Sequence, residues 1–290
     1  MRASSRAFSG WWAALVVLAW GAMPAGAAAQ TPAAAAAPGE IRLYTVNCGH
    51  LEFKDLSFFS DTGDYDGGKS GVIVAPCFVI RHPKGILVWD TGMSPHFPKG
   101  VNAAGVSGGI DVPVEKLLAQ IGLKPGDVNY LAFSHLHSDH TGNANLFKSA
   151  TWIMNKTELA WALAGGSGSP VDVSTFSEYK TARTHMIDGD YDVFGDGTVR
   201  ILKTPGHTPG HQVLELKLQK AGTVILAGDL YHFRADRASR LVPLFNTDRA
   251  DTLASFDRVE RIAHNTHARV VIEHDPEDFK SMPRFPAYLD

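Results

Sequence analysis

The hexapeptide at positions 135–140 constrains this chain more than any other segment. It reads His135-Leu136-His137-Ser138-Asp139-His140, so three imidazoles and one carboxylate fall within six residues. Imidazoles this close together repel each other when protonated, and they lose hydration when buried without a cation. Imidazole and carboxylate are also ligands that a borderline divalent cation accepts. The hexapeptide therefore predicts a metal centre, in which His135 and His137 share one ion while Asp139 and His140 serve a second.

Three further potential ligands each follow a run of residues that favours a strand. His207 lies in the segment Thr-Pro-Gly-His-Thr-Pro-Gly, Asp229 ends the tripeptide Ala-Gly-Asp, and His274 comes two residues after Ile272. Side chains that follow the ends of neighbouring strands meet at one edge of a sheet. We therefore expect these three residues to complete the metal centre that the hexapeptide begins.

The hydrophobic pattern predicts an α/β fold. Runs of β-branched and aromatic residues predict strands at 41–46, 72–80, 86–89, 128–133, 151–154, 199–202, 212–218, 223–227 and 269–272. Apolar residues at helical spacing predict helices at 114–121, 157–164 and 253–262. Glycine-rich loops are expected at 105–109 and 165–170. Each half has strands first and helices after, which favours two β-sheets packed together with helices outside.

The first forty residues carry the features of an exported protein. Two arginines precede a short apolar run, and the Ala-rich segment that follows contains Ala-x-Ala at 27–29, an order typical of a secretory signal peptide. The run is shorter than the roughly 20 apolar residues that span a bilayer, so no stable membrane insertion is expected after cleavage. We expect a signal peptide over 1–29, an Ala/Pro linker over 30–40, a folded domain over 41–290, and a periplasmic or secreted location.

The composition excludes several classes of protein. With 27 Lys and Arg against 30 Asp and Glu, the formal charge is -3, so no broad basic surface is available for nucleic acid. Cys48 and Cys77 are the only cysteines, too few for a disulfide scaffold or a thiolate zinc site. Export would permit a disulfide between them, but two buried free thiols are the interpretation that the sequence favours.

Together these motifs resemble the metallo-β-lactamase superfamily over about residues 44–274. The resemblance implies an αβ/βα sandwich with two metal ions between the sheets. The implied ligands of one ion are His135, His137 and His207; those of the other are Asp139, His140 and His274. The resemblance also implies that Asp229 bridges both ions and that Asp90, in Trp-Asp-Thr-Gly, orients a ligand.

Within that superfamily the sequence is most similar to the N-acyl homoserine lactonases, around the segments 82–92 and 228–232. Redox di-iron members carry Glu in place of His137, and zinc β-lactamases generally lack an aspartate at the position of Asp229, so both classes are disfavoured. Nuclease members act on phosphodiesters, which suits an exported, slightly acidic protein poorly. Thioesterases of the glyoxalase II type share all seven ligands. One departure is His232, which stands where lactonases often carry Tyr, with Tyr231 one place earlier.

The sequence therefore predicts a dinuclear metal-dependent hydrolase that opens a lactone ring, with an N-acyl homoserine lactone as the leading substrate. Hydroxide formed from water between the two ions is the expected nucleophile, which explains why no Ser or Cys nucleophile motif is needed. Asp139 is expected to pass a proton to the leaving alkoxide. Neighbours in an extended chain point to opposite sides, so only one of Tyr231 and His232 is expected to face the substrate. The hydrogen bond to the oxyanion is expected from Tyr231, because a phenol donates without a change of protonation near neutral pH.

Several alternatives stay open on the sequence alone. The same ligands would suit a β-lactamase-like amide hydrolase, a thioesterase, a phosphotriesterase, or a secreted metal-binding protein without turnover. Zinc is the default for nitrogen and oxygen ligands without thiolate, with iron, manganese and cobalt as alternatives. The expected partner is a small molecule. The acyl-chain preference, the oligomeric state and the role of His211 are left open.

Overall fold

The structure is a computed structural model that describes residues 39–290. The predicted signal peptide and most of the predicted linker lie outside the described residues. No helix within 39–290 is both long enough and apolar enough to cross a membrane.

Seven strands of the described chain form the larger sheet. They are β1 (Arg42–Phe53), β2 (Gly71–His82), β3 (Gly85–Trp89), β4 (Val106–Gly109), β5 (Tyr130–Ala132), β6 (Thr151–Asn155) and β7 (Arg183–Ile187). Their order across the sheet is β4-β1-β2-β3-β5-β6-β7. Because β3 and β5 are parallel, the residues that follow them leave the sheet at the same edge. This edge receives Asp90 after β3 and the hexapeptide 135–140 after β5.

Five strands of residues 39–290 form the smaller sheet. They are β8 (Tyr191–Asp192), β9 (Val199–Lys203), β10 (Gln212–Leu218), β11 (Gly222–Leu226) and β12 (Arg269–Val271), in the order β12-β11-β10-β9-β8. β10 is antiparallel to both β9 and β11, and β11 is parallel to β12. β9, β11 and β12 therefore end at the same edge, where His207, Asp229 and His274 follow.

The α-helices of the described chain are α1 (Val114–Gln120), α2 (Ser138–Thr141), α3 (Lys156–Leu163), α4 (Arg234–Ser239), α5 (Arg249–Thr266) and α6 (Pro276–Ser281). The side chain of Asn155 caps α3 by accepting hydrogen bonds from the first-turn N–H groups of Thr157 and Glu158. Short 3-10 turns complete the connections at Ser57–Phe59, Pro125–Asp127, Ala144–Phe147, Gly166–Gly168, Val173–Lys180 and Gly228–Leu230.

Alternating side chains divide the apolar core into layers. Phe78 and Ile80 of β2 belong to the same buried cluster as Leu214 and Leu216 of β10, so this cluster fills the space between the sheets. Val79, on the opposite face of β2, packs in a cluster with residues of α1 and α3. On the far side of the smaller sheet, Phe256, Val259 and Ala263 of α5 pack against Val213 and Ile225. The predicted sandwich of two sheets with helices outside is confirmed.

The segment 106–109 differs from its expected loop structure. It forms β4, an edge strand that pairs antiparallel with residues 50–53 of β1. A Cβ atom at Gly108 would overlap the carbonyl oxygen of His50, so the two strands approach too closely for a side chain there. The glycines expected to loosen this segment therefore permit its pairing.

The two cysteines also differ from the favoured expectation. Cys48 and Cys77 are joined by a disulfide, with 5.6 Å between their Cα atoms, so the prediction of free thiols is wrong in this structure. They lie on adjacent strands, where the pairing of β1 with β2 shifts register between Asn47 and His50. Such a shift brings together residues that the linear pattern alone does not pair.

Candidate metal centre

Strand ends from both sheets bring the predicted ligands to one edge of the sandwich. The hexapeptide 135–140 follows β5 of the larger sheet, whereas His207, Asp229 and His274 follow β9, β11 and β12 of the smaller one. All seven side chains are at least largely buried, and Asp139 is the most accessible, with 13% of its side chain exposed. The structure therefore brings together every residue that the sequence predicts as a ligand.

Asp229 lies between two groups of histidines. Its Oδ2 atom is 3.2 Å from Nε2 of His207 and 3.6 Å from Nε2 of His135. Its Oδ1 atom is 3.0 Å from Nε2 of His140 and 3.0 Å from Nε2 of His274. One carboxylate thus offers one oxygen to each group, which is the arrangement that a bridging ligand requires.

Each group presents its ligand atoms within a small volume. In the first group, Nδ1 of His137 is 3.2 Å from Nε2 of His207. In the second, Oδ2 of Asp139 is 3.6 Å from Nε2 of His274. Within each of the two sets, the candidate ligand atoms all lie within 4.8 Å of one another: His135, His137, His207 and Asp229; and Asp139, His140 and His274.

The hydrogen bonds of the second group test whether these residues fit a cation. Nδ1 of His140 donates to Oδ2 of Asp90 at 2.8 Å, and Nδ1 of His274 donates to the carbonyl oxygen of Val74 at 2.6 Å. With Nδ1 of each ring donating, the two Nε2 atoms lie 3.1 Å apart, and each would offer a lone pair once a cation displaces its proton. Ligand nitrogens of a tetrahedral zinc ion lie about 3.3 Å apart. Nε2 of His135, also buried, has no hydrogen-bond partner. The donor set fits two divalent cations.

Asp90 supports ligands of both groups. Its carboxylate accepts hydrogen bonds from the backbone N–H and the hydroxyl of Ser134, both at 2.7 Å, in addition to the bond from His140. The Ser134 oxygen in turn accepts from Nδ1 of His135 at 3.0 Å. Asp90 therefore orients His140 directly and His135 through Ser134, and such contacts fix the tautomer and direction of ligand imidazoles. Asp90 also holds a left-handed backbone conformation with φ of 53°.

The two groups differ in their charge before metal binding. Burial lowers the pKa of His137 to about 3 and that of His207 to about 4. Burial also opposes a charge on His274, but the carboxylate of Asp229 outweighs it and raises the pKa of His274 to about 9. The imidazoles around Asp229 likewise outweigh its burial and hold the pKa of its carboxyl well below the usual range. In the metal-free protein at neutral pH, protons therefore reside on the second group.

His211 has a role that the sequence left open. It is fully buried, and its Nε2 atom accepts a hydrogen bond from the backbone N–H of Asp229 at 3.0 Å. Its Nδ1 atom donates to the carbonyl oxygen of Thr204 at 3.0 Å. Burial lowers the pKa of His211 to about 4, which keeps the ring neutral and able to accept. His211 therefore positions Asp229.

Tyr231 and His232 point to opposite sides of the chain. The hydroxyl of Tyr231 donates to Oε1 of Glu260 at 2.9 Å, and its ring packs against Phe256 in the core outside the smaller sheet. The expectation that its hydroxyl reaches the metal pair is therefore wrong in this structure. Nε2 of His232 lies 3.1 Å from Oδ2 of Asp229. Because Tyr231 is extended, with φ of -138° and ψ of 139°, only one of the two neighbours can face the site.

Two buried carboxylates near the site were not found from the sequence. Glu273 accepts hydrogen bonds from the backbone N–H of Gly228 at 2.8 Å and from the indole of Trp89 at 3.3 Å. Burial and the neighbouring Asp90 raise the pKa of Glu273 to about 8. Burial likewise raises the pKa of Glu158 to about 7. The hydrogen-bond partners of both carboxylates are far away in the chain, so no local sequence pattern indicates these roles.

A cavity of about 330 Å³ opens onto this edge of the sandwich. Its polar lining comes from His137, Ser138, Asn102, Asp139, Asp229, His232 and His274. Its apolar lining comes from Leu51, Phe53, Phe58, Phe59, Ile73, Phe97, Ala104, Val106, Pro170 and Phe245. Small-molecule sites commonly combine a mostly apolar wall with a few placed polar groups. The cavity therefore suits a ligand with one polar reacting group and an apolar chain.

The sequence is similar to a known family and to curated proteins within it. The metallo-beta-lactamase superfamily profile matches residues 70–274. The N-acyl homoserine lactonase AttM of Azorhizobium caulinodans is 33% identical over 266 residues, which cover 87% of this chain and 99% of that protein. The N-acyl homoserine lactonase AiiA of Bacillus thuringiensis subsp. kurstaki is 29% identical over 225 residues, which cover 73% of this chain and 86% of that protein.

Solved structures agree with the sequence comparisons. An N-acyl homoserine lactone hydrolase with the product N-hexanoyl-L-homoserine bound at its catalytic metal centre superposes with a TM-score of 0.75 at 25% identity, covering 87% of this chain and 100% of that one. AidC, a dizinc quorum-quenching lactonase, shares the fold with a TM-score of 0.64 at 18% identity, covering 87% of this chain and 91% of that one. The chain belongs to the metallo-β-lactamase superfamily, in which it is similar to the N-acyl homoserine lactonases.

Proposed function

We propose that this protein is a dinuclear metal-dependent lactonase that hydrolyses N-acyl homoserine lactones. The observation that carries the proposal is the Asp229 carboxylate, which lies between two groups of histidines and lines a largely apolar cavity. The match to the lactonase AttM, which covers 99% of that protein, supports the same reaction. So does the similar structure of a lactone hydrolase that holds its ring-opened product at the metal centre.

The ligands divide between two ions as the sequence suggests. His135, His137 and His207 would hold the first ion, Asp139, His140 and His274 would hold the second, and Asp229 would be shared. Two divalent cations bound here would acidify water near neutral pH and polarise the lactone carbonyl. We propose zinc, because the donors are nitrogen and oxygen without thiolate.

Asp139 is the residue that we propose for proton transfer. Its carboxylate is the most accessible of the ligand side chains and lines the cavity. Hydrolysis adds the oxygen of water to the carbonyl carbon, breaks the ring C–O bond and moves one proton to the leaving alkoxide oxygen. A carboxylate beside the reacting atoms can accept that proton from water and return it to the alkoxide.

His232 takes the role of hydrogen-bond donor that the sequence favoured for Tyr231. Its side chain lines the cavity, and its ring lies stacked 5.6 Å from that of His274. The ring is held by edge contacts with Phe59 and Phe245, at 5.1 and 5.5 Å between centroids. In this structure its Nε2–H donates to Oδ2 of Asp229. If both Asp229 oxygens bound cations, that N–H would be free to donate to an oxyanion from a ring already held in place.

A substrate panel with metal analysis tests the proposed function. Purified, metal-replete protein is assayed on an N-acyl homoserine lactone, a β-lactam, a thioester and a phosphotriester, while elemental analysis counts the bound ions. We expect two ions per chain and a kcat/KM that is highest for the lactone. Preference for another substrate would reassign the reaction, and two bound ions without any turnover would indicate a metal-binding protein.

We also propose that the protein is exported and acts in the periplasm or outside the cell. The signal-like order at the start of the chain and the Cys48–Cys77 disulfide both support this location, because disulfides persist on the oxidising side of the membrane. Mass spectrometry of fractionated cells should find a mature chain that begins near Gln30. An intact chain that begins at Met1 in the cytoplasm would contradict export.

A further inference from the structure

Glu158 is a buried carboxylate that the proposed reaction does not use. It lies in the first turn of α3 with 2% of its surface exposed. Its backbone N–H donates to the capping side chain of Asn155 at 3.1 Å. A carboxylate at such a position costs desolvation unless its oxygens are hydrogen bonded. Its partners therefore indicate what it does.

Each oxygen of Glu158 accepts a backbone N–H from a different ligand loop. Oε1 accepts from Leu136 at 2.9 Å, and Leu136 stands between His135 and His137. Oε2 accepts from Gly210 at 2.9 Å, three residues after His207. One side chain on α3 thus joins a loop from the larger sheet to a loop from the smaller one.

The contact at Gly210 is too close for any other residue. A Cβ atom there would lie 2.6 Å from Oδ1 of Asn155 and 2.6 Å from both the backbone nitrogen and the Cβ of Glu158. The loop that follows His207 therefore packs directly against the start of α3, which brings the Gly210 N–H within hydrogen-bond distance of the Glu158 carboxylate. This close approach requires glycine at position 210.

We propose that Glu158 is a positioning residue that sets the distance between the two loops carrying the ligands of the first ion. Those ligands meet at the contact between His137 and His207, 3.2 Å apart. The second group does not depend on this link, because His140 is held by Asp90 and His274 by the carbonyl of Val74. Loss of Glu158 should therefore weaken one metal site selectively. The inference rests on the proposed dinuclear function.

The substitution Glu158→Gln tests the two acceptor oxygens of the carboxylate while nearly preserving the shape of the side chain. Glutamine keeps nearly the same volume but offers one acceptor oxygen and one NH₂ group, which would face a backbone N–H. One of the two buried donors would lose its partner. Loss of a hydrogen bond that supports metal ligands typically lowers metal affinity by about 10- to 100-fold.

The experiment measures zinc affinity in solution, independently of turnover. Metal-free wild-type protein and Glu158→Gln are titrated with Zn²⁺ against a chromophoric chelator, which resolves two binding steps. His207→Ala and His274→Ala identify which step belongs to which group. Glu115→Gln, an exposed glutamate of α1, is the matched control. Circular dichroism establishes whether each variant folds. If Glu158→Gln does not fold, it is replaced by Glu158→Asp, which keeps both carboxylate oxygens on a shorter side chain.

We expect Glu158→Gln to weaken the step lost in His207→Ala by about 10- to 100-fold and to leave the step lost in His274→Ala unchanged. Glu158→Asp should weaken the same step by a smaller factor. Equal weakening of both steps, or none, would overturn the positioning role while the dinuclear function stands. Fewer than two ions bound to the wild-type protein would overturn the dinuclear function and this inference together.

Discussion

Nε2 of His232 lies 3.1 Å from Oδ2 of Asp229, so the imidazole is hydrogen bonded to the carboxylate shared by both histidine groups. The backbone N–H of His232 donates to Asp236 at 3.0 Å, which fixes the chain on that side. His232 is therefore held from two directions at the edge of the cavity, whereas its neighbour Tyr231 faces the core.

Substitution of these two neighbours should separate catalysis from stability. His232→Ala should lower kcat on a lactone by about a hundredfold, the loss typical of an oxyanion donor. Tyr231→Phe should leave kcat unchanged and lower the free energy of unfolding by about 1 kcal/mol, because it removes the bond to Glu260. A large fall in kcat for Tyr231→Phe alone would show that the phenol, and not the imidazole, serves the reaction.

Removal of the shared carboxylate should affect both ions. Asp229→Ala should lower kcat/KM by about a thousandfold or more and reduce the metal content below two ions per chain, because the carboxylate fixes the separation of the pair. His207→Ala, which removes a ligand of one ion, is the reference, and its loss should be no larger. Turnover of Asp229→Ala near that of wild type would rule out the bridging assignment.

The pH dependence of metal uptake should differ between the two sites. The pKa of His274 is raised to about 9, so an ion at the second site must displace a proton at neutral pH. Its affinity should rise at least about tenfold per pH unit between pH 7 and 9, because the pKa of His140 in the same group is raised as well. The first-site histidines His137 and His207, with pKa values of about 3 and 4, are already neutral there, so that site should change little.

Unfolding of the metal-free protein provides an independent check on the same charges. A folded pKa above the unfolded value of about 6.5 means that protonated His274 adds stability, which is complete below pH 6.5 and is lost as pH rises through about 9. The free energy of unfolding from urea titrations should therefore fall across this window. His274→Ala should flatten the fall, and a curve identical to that of wild type would contradict the assignment.

The disulfide should contribute substantially to stability. Cys48 and Cys77 are 29 residues apart. Closing a loop of that length stabilises a protein by about 3–4 kcal/mol, because it reduces the conformational entropy of the unfolded chain. The double variant Cys48→Ala/Cys77→Ala should show a loss of that size in urea unfolding. Reductant should destabilise the wild-type protein and leave the double variant unaffected. Equal stability with and without reductant would show that the bond does not form in solution.

The apolar wall should govern recognition of the acyl chain. The Phe245 ring lies 5.5 Å from that of His232 and 5.7 Å from that of His207. Phe245→Ala should raise KM for a long-chain N-acyl homoserine lactone by about tenfold, with a smaller change for a short-chain substrate. Leu244→Ala is the matched control, since Leu244 is 65% exposed. An equal change for both chain lengths would place the acyl chain elsewhere.

The sequence by itself determined the parts of this protein that depend on local order. The hexapeptide 135–140 indicates metal chemistry because its ligand side chains are adjacent in the chain. Strands such as 212–218 and the core of α5 follow from the spacing of apolar residues, which sets the face that each element buries. His207, Asp229 and His274 could be predicted because each follows a recognisable strand.

Only the tertiary structure decided the contacts between distant segments. The bond between Cys48 and Cys77 depends on a register shift in β1, and the orientation of Tyr231 depends on which side of the chain meets α5. Glu158 and His211 support the site by hydrogen bonds to backbone groups 18 or more residues away. A backbone N–H is present at nearly every residue and leaves no mark in the sequence, so its partner is known only once the chain has folded.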